Sequence, residues 1–233
     1  MNFPLICVLD FEASCDDNVQ YFDNEIIEFP SVLLQFDNDT CCYNIVSEFK
    51  QYCKPLFKPI VPKFTTELTG ITQEQIDNGG NFPDVLDDHY KWLNGFGQDE
   101  QIMFVTCGNS DLKTFMVNEC KKWNIIPYGI YQKYINICKI FGDFYKPENN
   151  KKDYGMIRML EYLGIELKGK QHCGLDDCHN TAKIFQRIIS DGYIIPDNFI
   201  NTIDIKDYKI AHPNSKKELE RNKKRLERLK ETK

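Results

Sequence analysis

The chain has 233 residues, 42% apolar and 27% charged, enough to bury a full core and incompatible with a disordered or collagen-like polymer. Its net charge of −6 argues, taken alone, against nucleic acid, but residues 216–233 hold nine Lys or Arg and four Glu, which leaves 1–215 at −11. An acidic body with a basic tail suits an enzyme whose carboxylates hold divalent cations and whose tail touches phosphate, and a solvated helix explains the tail equally well.

In chain order, Leu5 to Phe11 is a short apolar run ending at carboxylates, the pattern of a buried strand. The stretch around it, MNFPLICVLDFEASCDD, shows neither a basic leader nor a small-residue cleavage site. No apolar run approaches the roughly 18 residues of a membrane span. An intracellular protein, cytoplasmic or nuclear, with no membrane partner, is expected.

Two further strands are expected at Glu25–Phe36 and Cys41–Phe49, joined by the turn residues 37–40 as an antiparallel meander, with Pro30 marking an edge or a bulge. After a Pro-punctuated segment from Pro55 to Pro62, Thr72 and Gln75 form a capping box, and Phe82–Leu93 has helical apolar spacing. Ile102–Thr106 is another buried strand. Helices are expected at Leu112–Trp123, Asp153–Leu163 and Leu175–Ser190, while the stretch 134–145 has no clear pattern. Antiparallel strands followed by alternating helices and strands imply an α/β domain with a mixed central sheet flanked by helices. The ten cysteines are scattered without a CxxC spacing and are expected to be reduced thiols.

Three acidic positions demand explanation. Asp10 and Glu12, two apart at a strand end, point to one face, where two anions are stable together only around a cation or with one protonated. Solvated strand-end acids are the alternative. Asp177 shares a helical stripe with Thr181, Ile184, Phe185 and Ile188, while Asp176, Asn180, Lys183 and Arg187 fall on the opposite side. An acid on a core-facing stripe must be paired or metal-bound, unless it serves the helix dipole. His172, just before that helix, can reach the same pocket, with a surface or capping histidine as the alternative. Asn109, Ser110 or Asp111 is explained by N-capping, and the spacing of His172, Cys173, Cys178 and His179 is not that of a zinc site.

In order, DFE, Asp111 and the His-x4-Asp of HCGLDD resemble the DEDDh family of 3′-to-5′ exonucleases. DFEASC, EIIEFPSVLL, LTGITQEQI, FPDVL, YINI, FGDFYK and HCGLDDCHNTAKI resemble its Eri-type branch, the enhanced-RNAi and three-prime histone-mRNA exonucleases, over roughly residues 5–190. The resemblance implies an RNase H-like exonuclease fold in residues 1–200, with 201–233 as an extension carrying a basic helix at about 215–233. It implies two Mg²⁺ ions, replaceable by Mn²⁺: Asp10, Glu12 and Asp177 on the first, Asp10 bridging, Asp111 supporting the second, and His172 as general base. It further implies an exoribonuclease that releases nucleoside 5′-monophosphates from the 3′ ends of structured or small RNA. A DNA exonuclease and a non-catalytic RNA-binding adaptor are the alternatives.

Substrate contacts implied by the resemblance are the backbone near Glu12 and Ala13 at the terminal ribose, Leu68 and Ile71 against the terminal bases, and His172. For Leu68 and Ile71, core packing is the competing explanation. Ser14, where the branch commonly has Thr, and Ser110, where it often has a base-stacking Trp, complete the implied substrate contacts, and the serine at 110 leaves base preference open. Larger members carry an N-terminal SAP nucleic-acid-binding domain, whereas nine residues precede Asp10 here. Leu219, Leu226 and Leu229 share one face of the basic tail, which suits phosphate, a partner protein's helix, or solvent alone.

Overall fold

Residues 3–16, 24–147 and 154–208 are described by a computed structural model of the chain. The elements in order are β1 (Leu5–Leu9), β2 (Glu12–Ala13), β3 (Ile26–Asp37), β4 (Cys42–Lys54), α1 (Lys63–Thr69), α2 (Gln73–Asp77), β5 (Gly80–Asn81), α3 (Phe82–Asn94), β6 (Ile102–Thr106), α4 (Val117–Trp123), β7 (Lys133–Asn136), α5 (Ile137–Tyr145), α6 (Met156–Leu163), α7 (Gly174–Ser190), β8 (Ile200–Thr202) and α8 (Ile205–Tyr208). The strands form one mixed sheet in the order β5-β4-β3-β1-β6-β7-β8, and β2 continues beside β3.

β1 lies mid-sheet, antiparallel to β3 and parallel to β6. Helices cover both faces there, so all five of its residues are buried and its sequence reads as an unbroken apolar run. Alternation still sorts them. Leu5, Cys7 and Leu9 pack with residues of α3 and α4, whereas Ile6 and Val8 pack with residues of α5, α6 and α7. The β1–β3–β4 meander, the mixed sheet and the flanking helices are as the sequence implies. The 37–40 turn is tied by Asp37, whose carboxylate accepts from Asp39 N and Thr40 Oγ1, each at 2.9 Å. Thr72 and Gln75 make both bonds of the expected capping box.

Several expectations need correction. Pro30 is neither on an edge strand nor at a bulge. It sits inside β3, paired with Lys50 of β4, where β1 has ended at Leu9–Ser31 and β2 has not begun at Glu12–Glu28. That gap removes the ladder bond a proline cannot make. The register shifts elsewhere: at Leu33–Leu34 against β4, where Val46 is the extra residue, and at Glu12–Ala13 against β3, where Ile27 is. The helix expected from Leu112 opens one residue earlier, as a widened turn over Asp111–Met116 that leads into α4. The unassigned 134–145 stretch is β7 running directly into α5, and β8 and α8 carry no signal that the sequence reading used. Ile203 and Tyr208 are core residues, so the packed unit runs past residue 200. Asp153 and the basic helix expected at about 215–233 lie outside the described residues, among which no helix is long and apolar enough to cross a membrane.

Candidate active site

Asp10 is the first residue past β1, and Glu12 opens β2. Leu9 and Phe11 point into the α3 and α4 side of the core, where Phe11 meets Phe29 edge-on at 4.6 Å. The two-residue alternation therefore turns Asp10 and Glu12 toward the opposite, α7 side, even though the ladder breaks between them. Asp111, 4% exposed, reaches the same place from β6: its Oδ1 accepts a 2.9 Å hydrogen bond from the backbone N–H of Phe11, between the other two acids. The capping explanation fails here. Ser110 makes no capping bond and is exposed, and Asn109 Oδ1 accepts from Tyr134 OH at 2.9 Å and from Asn136 Nδ2 at 3.1 Å.

Asp177 lies in the first turn of α7, buried with Thr181, Ile184, Phe185 and Ile188 as the stripe requires. Its Oδ2 accepts the backbone N–H of His172 at 2.8 Å, and its Oδ1 is closed off from solvent with no hydrogen-bond partner among the described residues. That bond holds His172 at φ 64°, in the left-handed region, with its ring half-buried beside the acid. Asn180 does not face solvent. It is buried and clasps Lys168, accepting from its N–H and donating to its carbonyl, both at 2.9 Å, because the chain after α6 folds across that side of α7.

The four carboxyls crowd each other. Burial, then the charges of Asp111, Asp177 and Glu12, hold Asp10 well above the usual carboxylate range. Burial, with Glu28, Asp177 and Asp111 adding to it and Lys50 opposing, pushes Glu12 up to about 8. Burial raises Asp111 to about 7 and Asp177 to about 6, each checked by its backbone hydrogen bond. Among the described residues no three His, Cys, Asp or Glu side chains already close a ligand shell around one point. The donors are nonetheless those a divalent cation would need: all carboxylate oxygens, one of them buried and unpartnered, in a cleft where negative charge is disfavoured until a cation compensates it. They fit Mg²⁺ or Mn²⁺. In the His/Cys cluster, Cys178 Sγ lies 3.7 Å from the Pro30 carbonyl and His179 pairs with Glu48 at 2.9 Å.

The residues expected to meet substrate separate clearly. Ala13 is half-buried beside Glu12, and Leu68 is half-buried on α1. Ile71, 4% exposed, packs with Ile27, Val61 and Ile76, so core packing explains it. Ser14 has no exposed surface, and its Oγ accepts from Glu25 N at 3.0 Å, which fastens it to the chain entering β3. The sequence reading overlooked Thr65, whose Oγ1 takes the Cys15 N–H at 2.9 Å and donates to the Cys15 carbonyl, docking α1 onto the chain just past Glu12. It overlooked Glu28 as well, 1% exposed, register partner of Glu12 and 2.7 Å from Lys50 Nζ. The available signal was an acid flanked by apolar residues within a strand.

A family profile described as Exonuclease matches residues 7–185. Human 3′-5′ exoribonuclease 1 is 38% identical over 194 residues, 82% of this chain and 54% of that protein. ERI1 exoribonuclease 2 of Xenopus laevis is 32% identical over 227 residues, 90% of this chain and 32% of that protein. The chain thus spans about half the length, or less, of these relatives. Among solved structures, the nuclease domain of 3′hExo, a DEDDh family member bound to rAMP, superposes with a TM-score of 0.74 at 37% identity, covering 82% of this chain and 94% of that one. A 3′-exonuclease in a structure describing 3′-end specific recognition of histone mRNA stem-loop gives 0.73 at 33% identity, covering 88% and 92%. By sequence and by fold, this chain belongs to the exonuclease family, in the Eri-type branch of its DEDDh members.

Proposed function

We propose that this chain is a metal-dependent 3′-to-5′ exoribonuclease that releases nucleoside 5′-monophosphates. The observation that carries the reading is the convergence of Asp10, Glu12, Asp111 and Asp177, with Asp177 Oδ1 buried and unpartnered, beside a histidine fixed by the same carboxylate. Asp10, Glu12 and Asp177 would hold one Mg²⁺, with Asp10 shared toward a second that Asp111 supports, and Mn²⁺ would serve in their place. Ions there supply activation of the attacking water and neutralisation of the departing 3′ oxygen. His172, anchored at its own backbone N–H, takes the water's proton as neutral imidazole. The Phe11 N–H holds the Asp111 carboxylate in place, so that the acid from β6 and those beside β1 keep a fixed spacing.

The backbone at Glu12 and Ala13 meets the terminal ribose, and the 2′-hydroxyl is where RNA is told from DNA. Leu68, on the helix that Thr65 docks beside Cys15, supplies apolar surface to the terminal base. The relatives named for exoribonuclease activity and the solved neighbours with rAMP and stem-loop RNA support RNA as substrate. On this reading the nuclease domain runs from the start of the chain past residue 200 to the core residue Tyr208, followed by a basic extension. Purified protein should shorten 5′-labelled RNA one nucleotide at a time with Mg²⁺ and stop with EDTA. RNA left intact across metal and pH conditions would refute the proposal, and faster loss of a matched DNA strand would reassign the substrate.

A further inference from the structure

The first turn of α7 carries Asp177 and follows His172, so catalysis depends on how far that turn stands from Asp10 and Glu12. Gly174, its first residue, meets β3 with no clearance. A Cβ there would lie 2.6 Å from Pro30 Cγ, 2.7 Å from Glu28 Oε2 and 3.1 Å from the Asp10 carbonyl oxygen. None of these neighbours yields readily. The Pro30 ring is fixed within β3, and its carbonyl accepts the Ser31 hydroxyl at 2.8 Å, with Cys178 Sγ of α7 seated 3.7 Å from the same oxygen. Glu28 is buried, and its other oxygen lies 2.7 Å from Lys50 Nζ, which sits 5.3 Å from the centre of the Tyr52 ring. The Asp10 carbonyl belongs to the site itself.

We propose that Pro30 and Gly174, with Glu28 clamped by Lys50 on the second side, form a spacer that sets the distance between the acids beside β1 and the Asp177–His172 pair on α7. They are positioning residues for the exonuclease reaction, and the inference rests on the function proposed above. Bringing a Cβ at 174 from 2.6 Å to an ordinary contact lifts the turn by about 0.8 Å, since packed interiors relax only partly. A displacement of that size lowers turnover by about 100-fold.

The test is Gly174→Ala, alone and combined with Pro30→Gly and Glu28→Ala, which remove the two atoms nearest the added methyl. Melting and circular dichroism confirm folding, RNA degradation gives kcat and KM, and electron paramagnetic resonance counts bound Mn²⁺. Gly174→Ala should fold, lose kcat by about 100-fold with KM within about threefold, and bind Mn²⁺ at least tenfold more weakly. Relative to Gly174→Ala, the triple variant should recover at least tenfold in both kcat and Mn²⁺ affinity. Wild-type kcat and Mn²⁺ affinity in Gly174→Ala, or losses in a folded variant that Pro30→Gly with Glu28→Ala does not relieve, would overturn the spacer. The Mn²⁺ measurement needs no turnover, so a wild-type chain inactive on RNA would sink the exonuclease reading while the spacer is still decided.

Discussion

Stripping divalent cations and raising the pH should loosen this protein, and Asp177 sets the scale. Its carboxyl is raised by burial from 3.8 to about 6, so the folded chain keeps a proton that the unfolded chain releases from about pH 4 upward. Stability from this proton is fully present below the unfolded value and is lost as pH rises through about 6. The difference corresponds to about 3 kcal/mol, at roughly 1.4 kcal/mol per pKa unit. Asp111 and Glu12, at about 7 and about 8, carry the same decline further, although the acids share one field and their effects do not add. For a chain of this size 3 kcal/mol is roughly 6–12 °C in Tm. Melts in EDTA at pH 5 and pH 8 measure the part lost above pH 5, about 1.4 kcal/mol or roughly 3–6 °C, with Asp177→Asn as control. The wild type should melt lower at pH 8, Asp177→Asn should flatten the decline, and Mg²⁺ should restore more at pH 8 than at pH 5. A metal-free wild type more stable at pH 8, or the same slope in Asp177→Asn, would refute the electrostatic picture.

The remaining predictions address single contacts. Asp10→Asn should abolish RNA degradation, and His172→Ala should do so while RNA binding, read by filter retention, survives; turnover by either variant above about 1% of wild type would contradict the assigned roles. His89 is fully buried, with its ring nitrogens 2.7 Å from Tyr131 OH and 2.9 Å from Ser31 Oγ, and burial lowers its pKa to about 3. Tyr131→Phe leaves the imidazole with an unmet partner and should cost about 1–3 kcal/mol in urea unfolding, and a loss under about 0.5 kcal/mol would show the network to be unimportant. Thr65→Val removes the hydroxyl's three contacts to Cys15 and should raise KM for RNA several-fold more than it lowers kcat. An unchanged KM would detach Leu68 from substrate.

What could be read from the sequence followed from periodicity. The β1 run, the meander, the capping box at Thr72 and the stripe through Asp177 are local patterns whose burial requires the structure seen. β7 escaped because four strand residues run without a break into the apolar face of α5. The burial of Asn180 was not legible because a helical stripe says nothing of a loop folding over the other side. Asp111 looked like a cap because its partner, Phe11 N, is 100 residues away. Ser14 and Ile71 are implied as substrate contacts by the resemblance, and the structure buries both within the fold through contacts that no local pattern shows. Glu28 and Gly174 matter through a steric contact between β3 and α7, which no spacing within the chain reveals.

The most direct measurement is the anomalous scattering of Mn²⁺ in crystals grown with a nucleoside 5′-monophosphate. Two manganese peaks should appear, one bound by Asp10, Glu12 and Asp177 and one shared by Asp10 on the side of Asp111, with the nucleotide phosphate against both. Manganese located away from these carboxylates, or carboxylates turned from one another with nothing between them, would contradict the proposed chemistry.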